Sequence, residues 1–207
     1  VKTGRIALLT AVMIIAAISG TWFMLSPSLE KQAALDVQNR LLADMETYIA
    51  DRTAAEPETA APELISAPVN VPLPQTGEGI GILEIDKISL KLPVVEGVTE
   101  DCLKTAVGRV PETAFIGETG NAVIAGHRSY TYGEYFNRLG EMETGDIIIY
   151  TPKDGESMTF EVFEVTEITP GDQIAFIQPE DESIITLYTC TPVRTATHRL
   201  LVRAIKI

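Results

Sequence analysis

Cysteine and histidine are the scarcest reactive residues in this sequence, with two of each in 207 positions: Cys102, Cys190, His127 and His198. Two cysteines do not make a disulfide framework. Neither stands in a C-x-x-C pair, so the sequence carries no zinc or dithiol redox signature. Basic residues are also few. Sixteen Lys and Arg face 29 Asp and Glu, a formal charge of −13, with −4 over residues 1–79 and −9 over 80–207. No basic block occurs, which argues against a nucleic-acid partner, because phosphate neutralisation needs clustered Lys or Arg. Acidity alone signals little beyond solubility. No cofactor is expected.

Charge is missing altogether from residues 6–25. A helix of that length crosses a hydrocarbon core of about 30 Å. Lys2 and Arg5 precede the run, which predicts a cytoplasmic N-terminal side and an exported remainder. A cleaved signal peptide is the competing reading, but its apolar core is usually about 7–15 residues, and Trp22-Phe23-Met24-Leu25 continue beyond the small residues at 16–20. We therefore expect a single-pass cell-membrane protein with an extracellular main domain, residues 1–28 forming its cytoplasmic tip and transmembrane anchor. Ser26-Pro27 reads as a cap and first helical position. Ala34, Val37, Leu41, Met45 and Tyr48 then recur at helical spacing among charges, predicting an amphipathic helix over 29–51. It could pack on the following domain, on a partner or on the membrane surface. Pro57, Pro62, Pro68, Pro72 and Pro74 predict an extended linker over 52–79.

Residues 80–207 are rich in Ile, Val, Thr and Phe, punctuated by Gly, Pro, Asn and Asp. Strands are expected over 80–88, 90–95, 121–125, 146–150, 158–168, 183–189 and 199–207. Short helices are expected at 100–106 and 132–139. This many short strands predict a mainly-β barrel or sandwich.

Cys190 ends the apolar strand Ile184-Ile185-Thr186-Leu187-Tyr188-Thr189, and the next strand begins at Arg199. If the two strands are antiparallel neighbours, Cys190 and Arg199 face each other with Cβ atoms roughly 5 Å apart. A guanidinium there would favour a thiolate or bind an oxygen becoming negative beside the sulfur. His127 also follows a strand directly, after Gly126. A Cys–His pair in hydrogen-bond reach is an activated nucleophile. Each residue alone has a plainer reading as a buried thiol, a satisfied imidazole or a solvated cation. His198 adjoins Arg199, and strand neighbours point to opposite faces. His198 is therefore read as structural, as is Cys102, which lies in an expected helix.

Three segments together carry a family resemblance. Thr186-Leu187-Tyr188-Thr189-Cys190-Thr191-Pro192 resembles the Thr-Leu-x-Thr-Cys signature of sortases, and Thr197-His198-Arg199-Leu200-Leu201-Val202-Arg203 resembles the segment carrying that family's essential arginine. Asn121-Ala122-Val123-Ile124-Ala125-Gly126-His127-Arg128 resembles the segment carrying its histidine. Order and spacing match over about residues 80–207. The resemblance implies an eight-stranded sortase β-barrel with short helices. It also implies a cysteine transpeptidase acting on secreted proteins that bear a Leu-Pro-x-Thr-Gly-like sorting signal. Cys190 would attack the threonine carbonyl, Arg199 and backbone N–H groups would hold the oxyanion, and His127 would protonate the departing glycine amine. The acyl-enzyme would pass to an amine of a cell-wall peptide or a pilin lysine. The words around Cys190 look like class C and those after His127 look closer to class D. No lid motif of the class C kind is found, so the reading leans to class D. The rival readings are a membrane-anchored cysteine peptidase that hydrolyses its acyl-enzyme, and an anchored binding module with an inert barrel.

The resemblance further implies that the loop before the cysteine strand, residues 169–182, contacts the Leu-Pro part of the signal. Ile174, Phe176 and Ile177 are its apolar candidates, with Thr189 beside the cysteine as a further substrate-binding residue. Glu180-Asp181-Glu182 reads as a solvated run and no metal site is expected. Leu73-Pro74-Gln75-Thr76-Gly77 is itself a sorting-signal sequence, just ahead of the barrel. It is either an accidental match or a tethered pseudosubstrate, since a flexible tether holds its end at a local concentration in the millimolar range. A bolder version has the chain cleaved after Thr76.

Overall fold

The computed structural model describes residues 2–55, 73–131 and 134–207, with side chains described over 28–54 and from 73 onward within those spans. The chain divides into two units, Val1–Val37 and Gln38–Ile207. Helix α1 (Lys2–Ala55) makes up the first unit and continues into the second. Its backbone passes Ser26-Pro27 without a break and runs on to Ala55, beyond the expected boundary at 51. The side chains of the expected anchor lie outside the described residues, as do residues 56–72 of the expected linker. Among the described residues no helix is long and apolar enough to cross a membrane.

The second unit contains β1 (Gly79–Ile85), β2 (Leu90–Glu96), β3 (Val107–Arg109), β4 (Gly120–Ala125), β5 (Ile147–Pro152), β6 (Met158–Ile168), β7 (Ser183–Thr191) and β8 (His198–Lys206). They close into a barrel in the order β1-β2-β3-β4-β7-β8-β6-β5, the mainly-β, eight-stranded architecture expected. Alternate residues point inward. Leu83 and Ile85, Phe160 and Val162, Ile185 and Leu187, and Val202 and Ala204 share one core. The strand not foreseen is β3, three residues that pair parallel to β2 through Val94↔Val107. A parallel pair needs a crossover, and helix α2 (Glu100–Thr105) provides it. Thr99 caps α2, its hydroxyl accepting the Cys102 N–H at 3.3 Å. Cys102 is buried beneath. The helix expected over 132–139 is instead a 3-10 turn, Asn137–Glu141. Tyr132 and Gly133 lie outside the described residues.

The part of α1 that belongs to the second unit packs on the barrel. Met45 is buried, Lys91 bridges Glu46 and Glu84 at 2.7 and 2.6 Å, and Tyr48 and Arg52 both donate to Asp154 at 3.0 and 3.3 Å. The ion pairs are exposed and each contributes only about 0–1 kcal/mol, so the Met45 contact is the stronger part of this docking.

The strand registers define two barrel ends. Met158 faces Tyr150, and Phe160 faces Lys206, at one end; Ile168 faces Arg199 at the other. At about 3.3 Å per strand residue, the two ends are on the order of 30 Å apart. The barrel is staggered: Gly81↔Pro152 sets the start of β1 level with the Met158 end through β5, while Gly79↔Val95, Val95↔Gly108, Gly108↔Ala125 and Ala125↔Tyr188 set it level with Tyr188 through β2, β3 and β4.

At the β2–β3 junction Glu96 and Arg109 are direct partners. Two hydrogen bonds of 2.7 Å join them, and both side chains are less than a tenth exposed. The guanidinium also lies over the Phe115 ring at 4.1 Å. Removing one member of such a pair strands the other's charge away from water. Arg109→Ala is expected to lower the unfolding free energy by about 3–5 kcal/mol, read as a fall in urea midpoint at unchanged slope.

Candidate active site

Cys190 is the penultimate residue of β7 and Arg199 the second of β8. The antiparallel register pairs them directly, Cys190↔Arg199, as the hairpin spacing predicted. Parity sets the faces. Leu187 belongs to the barrel core and Thr189 is buried with it. Tyr188 and Cys190 therefore occupy the outer face of β7, beside Leu201 and Arg199 of β8. Cys190 is half-buried and not in a disulfide. The Arg199 guanidinium is turned back on its own loop, Nη1 donating to the carbonyls of Ala196 at 3.1 Å and His198 at 3.0 Å.

His127 arrives from a different strand. β4 runs parallel to β7 with Ala125 opposite Tyr188. Continuing that register by two residues brings His127 level with Cys190. Two hydrogen bonds enforce this beyond the strand end. The Gly126 N–H donates to the Tyr188 carbonyl at 3.1 Å, and the Thr189 hydroxyl donates to the Gly126 carbonyl at 2.8 Å. Position 126 must also be glycine for lack of room: a Cβ there would lie 2.8 Å from Phe136 and from Val107. The His127 carbonyl accepts the Phe136 N–H at 3.1 Å, and its side chain is exposed. The backbone is fixed on both sides and the ring is left to face solvent.

His127 and Cys190 line one cleft of about 370 Å³, together with Arg128, Tyr135, Pro192 and Arg194 among others. Ala196, which accepts from Arg199, is also in its wall. Among the described residues the sulfur, the imidazole and the guanidinium are not hydrogen-bonded to one another. Such contacts are often long in an unliganded site and tighten when substrate is bound. Among the described residues no carboxylate lines the cleft, although the chain as a whole is strongly acidic. Arg128, Arg194 and the nearby Arg199 make it a local positive concavity suited to negative charge developing beside the sulfur. His198 pairs with Thr191, one step past the Cys190 level, and its Nδ1 lies 3.0 Å from the Thr197 hydroxyl.

The other expected residues fall in different places. Thr189 was expected to touch substrate; it is 1% exposed. Inward parity and its bond to Gly126 make it the pin between the histidine-bearing and cysteine-bearing strand ends. Ile174 and Phe176 flank Tyr188 on the outer face, the Phe176 and Tyr188 ring centroids being 6.0 Å apart. Tyr188 precedes Cys190 by one strand repeat, about 7 Å. Ile177 is 57% exposed at the end of the same turn. A buried amide holds this loop. Asn121 Nδ2 donates to the carbonyls of Ala175 and Ile177 at 2.9 and 3.1 Å, and its Oδ1 accepts the Thr186 hydroxyl at 2.7 Å. Gln178 completes the clamp through both backbone groups of Asn121. Leu73 to Gly77 are not near this cleft. Leu73 and Pro74 line a separate hollow of about 400 Å³ with Tyr150 and Pro152. Among the described residues no cluster of His, Cys, Asp or Glu is arranged to hold a metal ion.

Sequence reasoning did not single out Arg128, Tyr135 or Arg194. Arg128 directly follows the histidine, and its Nε is buried without a hydrogen-bond partner among the described residues. Arg194 sits in the β7–β8 loop in a left-handed conformation, φ 85°. Neither has periodicity to betray it; adjacency to His127 and Cys190 was the one available signal.

Comparison with known proteins agrees with this geometry. The model of the sortase domain matches residues 83–207. Sortase D of Bacillus subtilis is 38% identical over 120 residues, 58% of this chain and 58% of that protein. Sortase A of Bacillus anthracis is 32% identical over 123 residues, 59% of this chain and 57% of its own length. The chain thus spans somewhat over half the length of these relatives. Among solved structures, a Clostridium perfringens sortase D5 transpeptidase superposes with a TM-score of 0.64 at 28% identity, covering 83% of this chain and 99% of that one.

Proposed function

The chain belongs to the sortase family, and from that premise we propose that it is a membrane-anchored cysteine transpeptidase cutting an LPxTG-like sorting signal between Thr and Gly. The observation that carries the reading is the direct pairing of Cys190 with Arg199, with the Gly126 peptide clamped so that His127 stands level with both. The Cys190 sulfur attacks the threonine carbonyl carbon. Arg199 turns from its loop carbonyls to hold the oxygen that becomes negative. As the intermediate collapses, His127 gives a proton to the departing glycine nitrogen. An amine, from a cell-wall peptide or a pilin lysine, then attacks the thioester carbonyl; the carbon–sulfur bond breaks, Cys190 leaves as the thiolate, and the amine's proton passes to His127. Ile174, Phe176 and Ile177 take the Leu-Pro part; their support is an apolar row on the Cys190 side of the barrel, held through Asn121. The barrel lies outside the cell, supported by the chargeless run at 6–25 behind Lys2 and Arg5. A D-type enzyme is the reading we take, supported by Sortase D of Bacillus subtilis and the Clostridium perfringens sortase D5.

The whole chain in detergent, given a panel of quenched sorting peptides and triglycine, should yield a ligated product of the expected mass. Hydrolysed peptide alone would favour a peptidase, and no cleavage of any peptide would overturn the reading. Thr189 gives a finer test as a positioning residue. Thr189→Val keeps the shape but not the donor, and should lower kcat about tenfold or more through misplacement of His127, with KM little changed. Thr189→Ser should restore it.

A further inference from the structure

The sequence Leu73-Pro74-Gln75-Thr76-Gly77 has the form of the proposed substrate, yet the cleft does not hold it. Its attachment decides what it can do. The Gly77 N–H donates to the Glu96 carbonyl at 2.8 Å, and the Glu96 N–H returns to the Glu78 carbonyl at 2.9 Å. β1 begins at Gly79. The motif is therefore fastened at the β1–β2 edge, three strands round the barrel from β7 through β3 and β4, and outside the cleft. From Gly79, three extended residues reach at most about 11 Å. Four strand pairings, Gly79↔Val95, Val95↔Gly108, Gly108↔Ala125 and Ala125↔Tyr188, lie between it and the Cys190 strand, roughly 20 Å around the barrel at about 4.8 Å each. For Thr76 to meet the sulfur of its own chain, the start of β1 would have to peel from its neighbours.

Access from outside is unobstructed. Leu73 is 75% exposed, and Gln75, Thr76, Gly77 and Glu78 are exposed with it. The bonds shaping the turn are few: Gly77 to Glu96, the Glu78 N–H to the Gln75 carbonyl at 2.8 Å, and the Gln75 N–H to the Glu78 carboxylate at 3.1 Å. Pro74 biases Leu73 toward extended backbone, the conformation a cleft-bound peptide needs.

We infer that the chain is a substrate of its own kind, one copy cutting another between Thr76 and Gly77. The inference rests on the LPxTG reading above. The Cys190 sulfur of the first copy bonds to the Thr76 carbonyl carbon of the second. The bond from that carbon to the Gly77 nitrogen breaks, and the nitrogen takes its proton from His127 of the first copy. Residues 77–207 leave with a free glycine amine. Residues 1–76 stay as the thioester until an amine or water displaces it. The cut severs the covalent link between the barrel and α1, leaving the Met45, Lys91 and Asp154 contacts as the remaining hold, and its rate rises with the square of enzyme density, so the device weakens anchoring where enzyme is dense.

The test mixes the unaltered whole chain with a whole chain carrying Cys190→Ala and a C-terminal mass tag, both in detergent. The tagged copy should yield a fragment beginning at Gly77, at a rate proportional to the unaltered chain. Adding Pro74→Ala to the tagged copy should slow this by at least about tenfold. An intact tagged copy, after the same unaltered chain has consumed free peptide containing Leu-Pro-Gln-Thr-Gly, overturns self-processing and leaves the proposed activity standing. A cut elsewhere, or one indifferent to Pro74→Ala, also overturns it. Failure on the free peptide as well overturns both readings.

Discussion

Cys190→Ala should abolish transfer, lowering kcat/KM on an LPxTG peptide by about 10⁵-fold or more, while leaving the urea midpoint nearly unmoved. The size follows from the chemistry. Without the sulfur no acyl-enzyme forms, and the remaining groups can act only on an uncatalysed water or amine. The small effect on stability follows from the site: Cys190 is half-buried on the outer face of β7 at the mouth of an open cleft, outside the core. The other thiol cannot stand in. Cys102 is 8% exposed beneath α2, its sulfur 3.1 Å from the Thr99 hydroxyl and 3.9 Å from the Glu96 carbonyl. The folded chain should therefore take up one equivalent of a thiol reagent, and the Cys190→Ala chain almost none. Substantial residual turnover, or labelling that survives the substitution, would point to a nucleophile elsewhere.

Much of this site could be read before the fold was known, because it rests on short-range spacing. A strand ending at Cys190 and another opening at Arg199 are enough to specify the hairpin partner, and parity then separates Arg199 from His198. The same parity argument, applied to Thr189, would have placed it inward with Leu187 rather than against substrate. Long-range register is what the sequence conceals. The alignment of His127 with Cys190 depends on a parallel β4–β7 pairing across more than fifty intervening residues. β3 escapes notice because Val-Gly-Arg is too short to alternate, and its partner is set by the crossover through α2. The sorting-like motif at 73–77 is visible as letters, but only the hydrogen bonds joining Gly77 and Glu78 to Glu96 say where on the barrel it is held.

Arg199→Ala should lower kcat/KM by about 10²–10³-fold, the usual loss for one oxyanion donor. Arg199→Lys should recover less than about tenfold of that loss. Two features of the structure separate charge from shape here. The guanidinium stands opposite the sulfur, yet Nη1 is occupied by the Ala196 and His198 carbonyls of the β7–β8 loop. Those bonds park the planar fork on its loop in the unliganded site, and its fixed set of N–H donors matches a carbonyl oxygen as it becomes negative once it turns. A lysine ammonium restores the charge but not that planar fork. If Arg199 served only to hold that loop, both variants would raise KM and leave kcat nearly intact. If it stabilises the transition state, kcat falls in both and the burst of released glycine peptide slows with it. Arg128 and Arg194, on the other cleft walls, provide the control. Replacing either by Gln lowers the local positive potential without touching the Cys190–Arg199 pair, and should change kcat/KM by about tenfold or less, more strongly at low salt than at high.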